Sequence, residues 1–347
     1  MSDEIFKEGG PLNIKKVDPD HVTMEIRFPP GSDGRVARAC PNEACCPGYF
    51  KVKSGTGITK GQDQAYCPYC GFSDEPAAFI THEQRKYMEG LVIAEALGGI
   101  EQIFENSFNK GTSHMSGAGG IELHYKRGPK PIVPHPFEED VRRDVICPNC
   151  GLDHSVFGLA IWCADCGKDI FLTHIEAEFA VLRLMLSDNG RRRALLGNRA
   201  AAKDIENYLE DTVSIFEAVL RQEARRLMHL QGVEKEEIEI NMKKIGNAFQ
   251  NIGRSETIFE NEFGITLLAN LSEAESASLK NTFEKRHPIA HNLGIMDRKY
   301  LDRARAAEKE GHDVLVTDKE IEHAIVLSLR IFRSAHSIES VPQKDKK

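Results

Sequence analysis

The chain has 347 residues, 41% of them hydrophobic, which is enough for two or three domains with at least one packed core of ordinary size. No apolar run follows Met1 and no stretch of 18 apolar residues occurs, so the sequence predicts a cytoplasmic protein rather than a secreted or membrane-spanning one. Net charge is −8, with most of the acidic excess in the N-terminal half, which argues against the broad basic footprint of a duplex-DNA binder.

Residues 1–75 read as an irregular lead-in, with short strands around Val22–Phe28, followed by a first metal-binding ribbon from about residue 36. Cys67-Pro-Tyr-Cys70-Gly is a C-x2-C knuckle, and Tyr49, Phe50 and Val52 supply strand character upstream. Its partner is Cys40-Pro-Asn-Glu-Ala-Cys45-Cys46-Pro; Cys45 is taken as the fourth ligand, with Cys46 as the alternative. Residues 76–139 hold one helix, expected over Thr81–Phe108 and broken at Gly98-Gly99. A small polar loop over Gly111–Gly120 and an extended four-proline linker over Lys126–Phe137 follow.

The second ribbon, residues 140–172, is the most specific motif. Cys147-Pro-Asn-Cys150-Gly and Cys163-Ala-Asp-Cys166-Gly are separated by a twelve-residue insert that fits a short β-hairpin. In a reducing compartment such spacing points to Zn2+ held by four thiolates, because disulfides are rare there. The glycine after each second cysteine lets the chain turn around the metal at positive φ. A redox C-x-x-C pair would need a surrounding βαβ pattern, which is missing. Closed four-thiolate sites leave no open coordination position, so two structural zinc ions and no catalytic metal are expected.

From residue 173 to 340 the pattern is helical: Ile175–Ser187, Ala200–Leu230, Lys235–Ile252, Ser272–Lys285 and a last helix from Thr317. Ser272-x-x-Glu275 and Thr317-x-x-Glu320 have the form of capping boxes. The fold class is mainly α, a C-terminal bundle with two small β zinc ribbons before it and a charged tail over 341–347. Arg191, Arg192 and Arg193 form the one dense basic run, read as a solvated helix flank.

Inside the bundle lies Arg286-His287-Pro288-Ile289-Ala290-His291-Asn292-Leu293-Gly294. Pro288 removes a backbone donor and disfavours helix just before it, so a kink is expected here. Residues five apart on an unbroken helix diverge by about 140°. Arg286 and His291 therefore share a cleft only through that kink or a second subunit. An arginine and a histidine together suit RNA cleavage. The imidazole takes or gives the proton, and the guanidinium holds the phosphate while the substrate's own 2′-hydroxyl attacks.

Arg286-x4-His291, with Gly294, Asp297, Tyr300 and Leu301 downstream, resembles the R-x4-H motif of the HEPN superfamily over about residues 200–338. The resemblance implies a metal-independent endoribonuclease acting as a homodimer, with Arg286 and His291 catalytic and His287 auxiliary. It also implies RNA as substrate, an antitoxin or other regulatory protein as partner, and a role in toxin, antiviral or RNA-processing systems. Asn292 is a candidate substrate-binding residue. Proline within the motif departs from the family pattern, and a non-enzymatic adaptor or RNA-binding scaffold is the alternative. A zinc-ribbon transcription factor is a third, disfavoured by the acidic balance.

Overall fold

A computed structural model describes residues 5–18, 21–110, 126, 128–129, 131–304 and 309–340. The Gly111–Gly120 loop and the 341–347 tail lie outside the described residues. The chain divides into two compact units, Met1–Ile170 and Phe171–Lys347.

The first unit is built on a four-stranded antiparallel sheet. Its strands are β3 (Arg35–Ala39), β4 (Tyr49–Lys53), β7 (Arg143–Ile146) and β8 (Asp153–Val156), in the order β3-β4-β8-β7. Two two-stranded pairs accompany it: β1 (Lys15–Lys16) with β2 (Val22–Thr23), and β5 (Ala65–Tyr66) with β6 (Ser73–Asp74). The central pairing sets Phe50 against Val156, Lys51 against Ser155 and Val52 against His154. Strands from both ribbons thus share one sheet, although about a hundred residues separate the paired positions in sequence. The hairpin expected inside the second ribbon's insert is placed differently: β8 pairs backwards with β7, so the turn contains Cys147 and Cys150. The rest of the insert forms only an isolated bridge, Trp162 to Asp169.

Helix α1 (His82–Lys110) continues through Gly98-Gly99, contrary to the expected break. Glycine weakens a helix without stopping it, and Gly99 has a packing reason: a Cβ there would run into the backbone of Ile5. The start of α1 is tied to the sheet by Gln84, whose side-chain amide donates to the Ala37 carbonyl at 2.9 Å. Beyond the proline-rich stretch, Glu138 accepts from the Ala37 amide at 3.1 Å and pairs with buried Lys51 at 2.8 Å. Asp33 gives Lys51 a second carboxylate at 2.8 Å, which compensates its desolvation.

Among its described residues the second unit holds helices and one isolated bridge, Ile295 to Asp313. Helices α2 (Phe171–Leu196) and α3 (Asn198–Leu230) form its long antiparallel frame, and α9 (Asp318–His336) packs on both. Between them run α4 (Lys235–Ile245), α5 (Ile252–Phe263), α6 (Glu273–Glu284), α7 (Arg286–His291) and α8 (Arg298–Ala304). The expected Lys235–Ile252 helix is two: α4 ends at Gly246, a short 3-10 turn over Ala248–Gln250 intervenes, and α5 starts with Asn251 as N-cap. Asn251 accepts from the Arg254 amide at 2.9 Å, satisfying one of the orphan donors that begin a helix. The core is aromatic. Phe216 meets Phe283 edge-on at 5.1 Å between ring centroids and Phe332 at 5.3 Å, and all three are buried. Both capping boxes form, at Ser272/Glu275 and Thr317/Glu320. Among the described residues, no helix is long and apolar enough to cross a membrane.

Candidate metal centres and the Arg286–His291 segment

Eight cysteines gather into two groups of four: Cys40, Cys45, Cys67, Cys70 and Cys147, Cys150, Cys163, Cys166. Within each group the sulfurs lie within 4.8 Å of one another. Across the knuckles the Sγ–Sγ distances are 3.7 Å (Cys40–Cys70), 3.6 Å (Cys45–Cys67), 3.7 Å (Cys147–Cys166) and 3.5 Å (Cys150–Cys163). A tetrahedron with metal–sulfur bonds of about 2.3 Å has edges of about 3.8 Å, and a disulfide would need about 2.05 Å. The donor sets therefore fit a four-coordinate thiolate-preferring ion. Cys45 is the fourth member of the first group, while Cys46 is exposed and outside it.

Three of the four knuckles repeat one backbone pattern. The first cysteine's amide donates to the carbonyl five residues on, and the glycine four residues on donates back: Cys67/Phe72/Gly71, Cys147/Leu152/Gly151 and Cys163/Lys168/Gly167. The fourth is longer, with the Cys40 amide bonding the Gly48 carbonyl at 2.8 Å. Gly71 and Gly167 both have positive φ, +71° and +63°, and both face an aromatic ring of the other ribbon. A Cβ on Gly71 would lie 2.9 Å from the Trp162 ring nitrogen, and one on Gly167 would lie 2.8 Å from the Tyr66 ring. Backbone bonds tie the ribbons as well, from the Tyr66 amide to the Ala164 carbonyl and from the Ile161 amide to the Pro68 carbonyl, each 2.8 Å. Tyr69 joins them a third way: its hydroxyl donates to the Tyr49 carbonyl at 2.6 Å and accepts from the Phe157 amide at 2.8 Å. No spacing rule flags Tyr66, Tyr69 and Trp162, since their role depends on the partner ribbon.

Burial pushes the Cys45 thiol up to about 12 and the Cys150 thiol up to about 11, with Cys67 and Cys163 raised further. Thiols crowded in apolar surroundings resist ionising, and a divalent cation reverses this by binding the thiolate. Among the described residues these two clusters are the groups of three or more ligand side chains within reach of one metal. His287 and His291 thus lack a third ligand there.

In the helical unit, α6 stops at Glu284 and α7 begins at Arg286, with Lys285 between. The cause is Pro288. Its ring conflicts with the carbonyl four residues earlier, Glu284, and it offers no donor to it. Lys285 is anchored to the Leu315 carbonyl at 2.7 Å and to Glu320 at 2.5 Å, so the break is held against the start of α9. Arg286 is half-buried; its Nη1 donates to Gln250 Oε1 at 3.1 Å, and Gln250 Nε2 donates to Glu217 at 2.7 Å. The Arg286 Nε is buried with no hydrogen-bond partner. Glu284 instead accepts from Asn251 at 2.6 Å, with Arg303 at 3.9 Å.

His291 is exposed, and its ring lies 5.1 Å from that of half-buried His287, one turn away. Burial, reinforced by Arg303 and His291, holds His287 below the ordinary histidine value. No hydrogen bond joins Arg286 to His291 among the described residues. Asn292 donates to the Ile295 carbonyl at 2.7 Å and so holds the turn after α7. That turn places Leu293 at φ +51° and 90% exposed. Of the arginine run, Arg191 pairs with Asp188 and Arg192 with Asp204, each at 2.6 Å.

Compared with family models, with curated proteins and with solved structures, the chain matches none.

Proposed function

We propose that the helical unit is a HEPN-type endoribonuclease and that the ribbon unit, stabilised by two zinc ions, recognises RNA or a partner protein. Supporting the cleavage reading is the short helix α7, which carries Arg286, His287 and His291 on its own axis after a proline-determined break. Arg286 keeps a buried, unsatisfied Nε, and such a donor is the kind that a phosphate oxygen would satisfy. His291 is open to solvent and can exchange protons with a bound substrate.

In the proposed reaction the RNA 2′-oxygen attacks the adjacent phosphorus, and His291 takes the 2′-hydroxyl proton. The P–O5′ bond breaks, leaving a 2′,3′-cyclic phosphate and a 5′-hydroxyl that receives a proton. Arg286 stabilises the charge that builds on the phosphoryl oxygens. Because no hydrogen bond joins Arg286 to His291 in one chain, the reading pairs each motif with that of a second copy about a two-fold axis. Zinc would be held by Cys40, Cys45, Cys67 and Cys70 and by Cys147, Cys150, Cys163 and Cys166, and it supplies folding energy rather than chemistry.

A second reading rests on the Arg286–Gln250–Glu217 chain, which suits a structural arginine in a non-enzymatic RNA-binding scaffold. One experiment separates the two. Mixed RNA is incubated with the zinc-loaded protein in mild chelator, alongside His291→Ala. A HEPN ribonuclease gives cyclic-phosphate ends and loses roughly 100-fold or more of its rate in the variant. Intact RNA that is bound with a steep salt dependence supports the scaffold.

A further inference from the structure

The ribbon unit contains a cavity of about 350 Å³ that neither the metal clusters nor the cleavage chemistry uses. That volume is at the lower end of the range for small-molecule sites. Buried Phe50, Phe79 and Leu152 contribute to its apolar lining, and the segment over residues 54–62 lines it as well.

Three charged residues line this space: Asp165, Arg38 and Lys53. Asp165, between Ala164 and Cys166 of the last knuckle, accepts from the Ile58 amide at 2.9 Å through one oxygen and from the Gln62 side chain at 3.0 Å through the other. These bonds pin the lining segment, and they need Gly57, where any Cβ would collide with the Asp165 carboxylate. Each carboxylate oxygen retains a second acceptor site. Arg38, from β3, is half-buried; its side chain makes no hydrogen bond or close ion pair with a described residue, although the Asp165 charge attracts it. The third lining charge, Lys53, is already paired with Asp153 at 3.3 Å.

The cavity therefore offers an arginine fork without a hydrogen-bond partner among the described residues, a carboxylate with acceptor sites to spare and an apolar lining. An anionic ligand would satisfy Arg38 but face the Asp165 carboxylate, and a cationic one would do the reverse. A neutral planar ligand with two acceptors on one edge and donors on another meets both. Guanine has that pattern, with O6 and N7 for an arginine and N1–H and the N2 amine for a carboxylate. Adenine sets its N6 donor against the arginine's donors.

We propose that this cavity binds a guanine base, presented by single-stranded RNA or by a free nucleotide. The inference deepens the recognition role proposed for the ribbon unit and rests on it, not on the cleavage chemistry.

The test is calorimetric titration of the full-length, zinc-loaded chain. Guanosine monophosphate is compared with adenosine monophosphate, with 7-deazaguanosine monophosphate, which lacks the N7 acceptor, and with inosine monophosphate, which lacks the N2 amine. Saturable guanine binding is expected, weakened roughly tenfold or more in each of the three comparators. Arg38→Gln should weaken it similarly while the two-zinc content is unchanged. A pyrimidine oligoribonucleotide with one central guanine distinguishes the sources: tighter binding than the mononucleotide assigns the site to RNA, and equal binding assigns it to the free nucleotide. Equal affinity for adenine and guanine, or full affinity for the 7-deaza analogue, overturns the proposal without reference to any variant's folding. RNA cleavage by the same preparation is read separately, so His291-dependent cleavage without guanine binding would leave the ribonuclease reading standing and sink this one.

Discussion

The two units solve the problem of stability by different means. In the helical unit, long amphipathic helices bury a continuous aromatic and aliphatic core around Phe216, Phe283 and Phe332. In the ribbon unit the strands are at most five residues long, and of the eight clustered cysteines three sit in, and four more border, a core assembled around Phe50, Phe79, Val156 and Leu152. Short strands and tight knuckles bury little apolar surface each, and the two four-cysteine groups are placed to add metal ligation to what packing supplies. The comparison teaches where each unit is vulnerable: the first to loss of a ligand, the second to loss of a core side chain.

Removing zinc should have the largest effect and divide the molecule along that line. With strong chelator, or in Cys163→Ser, the ribbon unit should lose its tertiary structure, since structural zinc sites contribute roughly 10 kcal/mol or more. The chain's single tryptophan, Trp162, sits at the second ribbon, so its fluorescence reports this unit alone. Most of the far-ultraviolet helical signal should persist. Simultaneous loss of both signals would show that the helical unit depends on the metals and break the comparison.

The converse is Phe216→Ala, which should destabilise the helical unit by about 3–5 kcal/mol. Zinc content and Trp162 emission should stay unchanged at temperatures where the helices melt. A smaller effect is expected at the α6 cap, where Ser272→Ala should cost about 1 kcal/mol in denaturant midpoint analysis. The Ser272 backbone amide, then Arg330, lowers the Glu275 carboxyl to about 2. A folded value below the ordinary 4.5 means that this contribution is complete above 4.5 and lost as pH falls toward 2. The stability difference between wild type and Glu275→Gln should shrink across that window. The smallest effect belongs to Cys46→Ser, which should leave two zinc ions per chain, whereas Cys45→Ser should leave one; equal loss in both would overturn the ligand assignment.

How much was legible in the sequence depended on the range of the interaction. Both cysteine sets, three of the knuckle turns, both capping boxes and the long helices follow from contacts within a few residues, and such patterns survive in any context. Gly98-Gly99 misled because a glycine pair reads as a helix breaker, while its cause is the passage of Ile5 across α1. The choice of Cys45 over Cys46 was open because a local spacing of four or five residues can reach the same ion. The folding of Cys67 and Cys70 onto Cys45 and Cys40 decides it.

By itself, then, the sequence determined which residues are chemically equipped: eight thiols in knuckle spacing, an arginine and two histidines beside a proline, and amphipathic helices to carry them. Only the tertiary structure decided that the two ribbons are one body, with β4 paired to β8 and each ribbon's glycine turned against the other's aromatic ring. It alone decided, too, that Arg286 leans on Gln250 while His291 faces solvent. The physical reason is the same in both cases. Ligand type and helical period are properties of neighbours in the chain, whereas strand pairing and burial are properties of neighbours in space, and nothing local encodes a partner a hundred residues away.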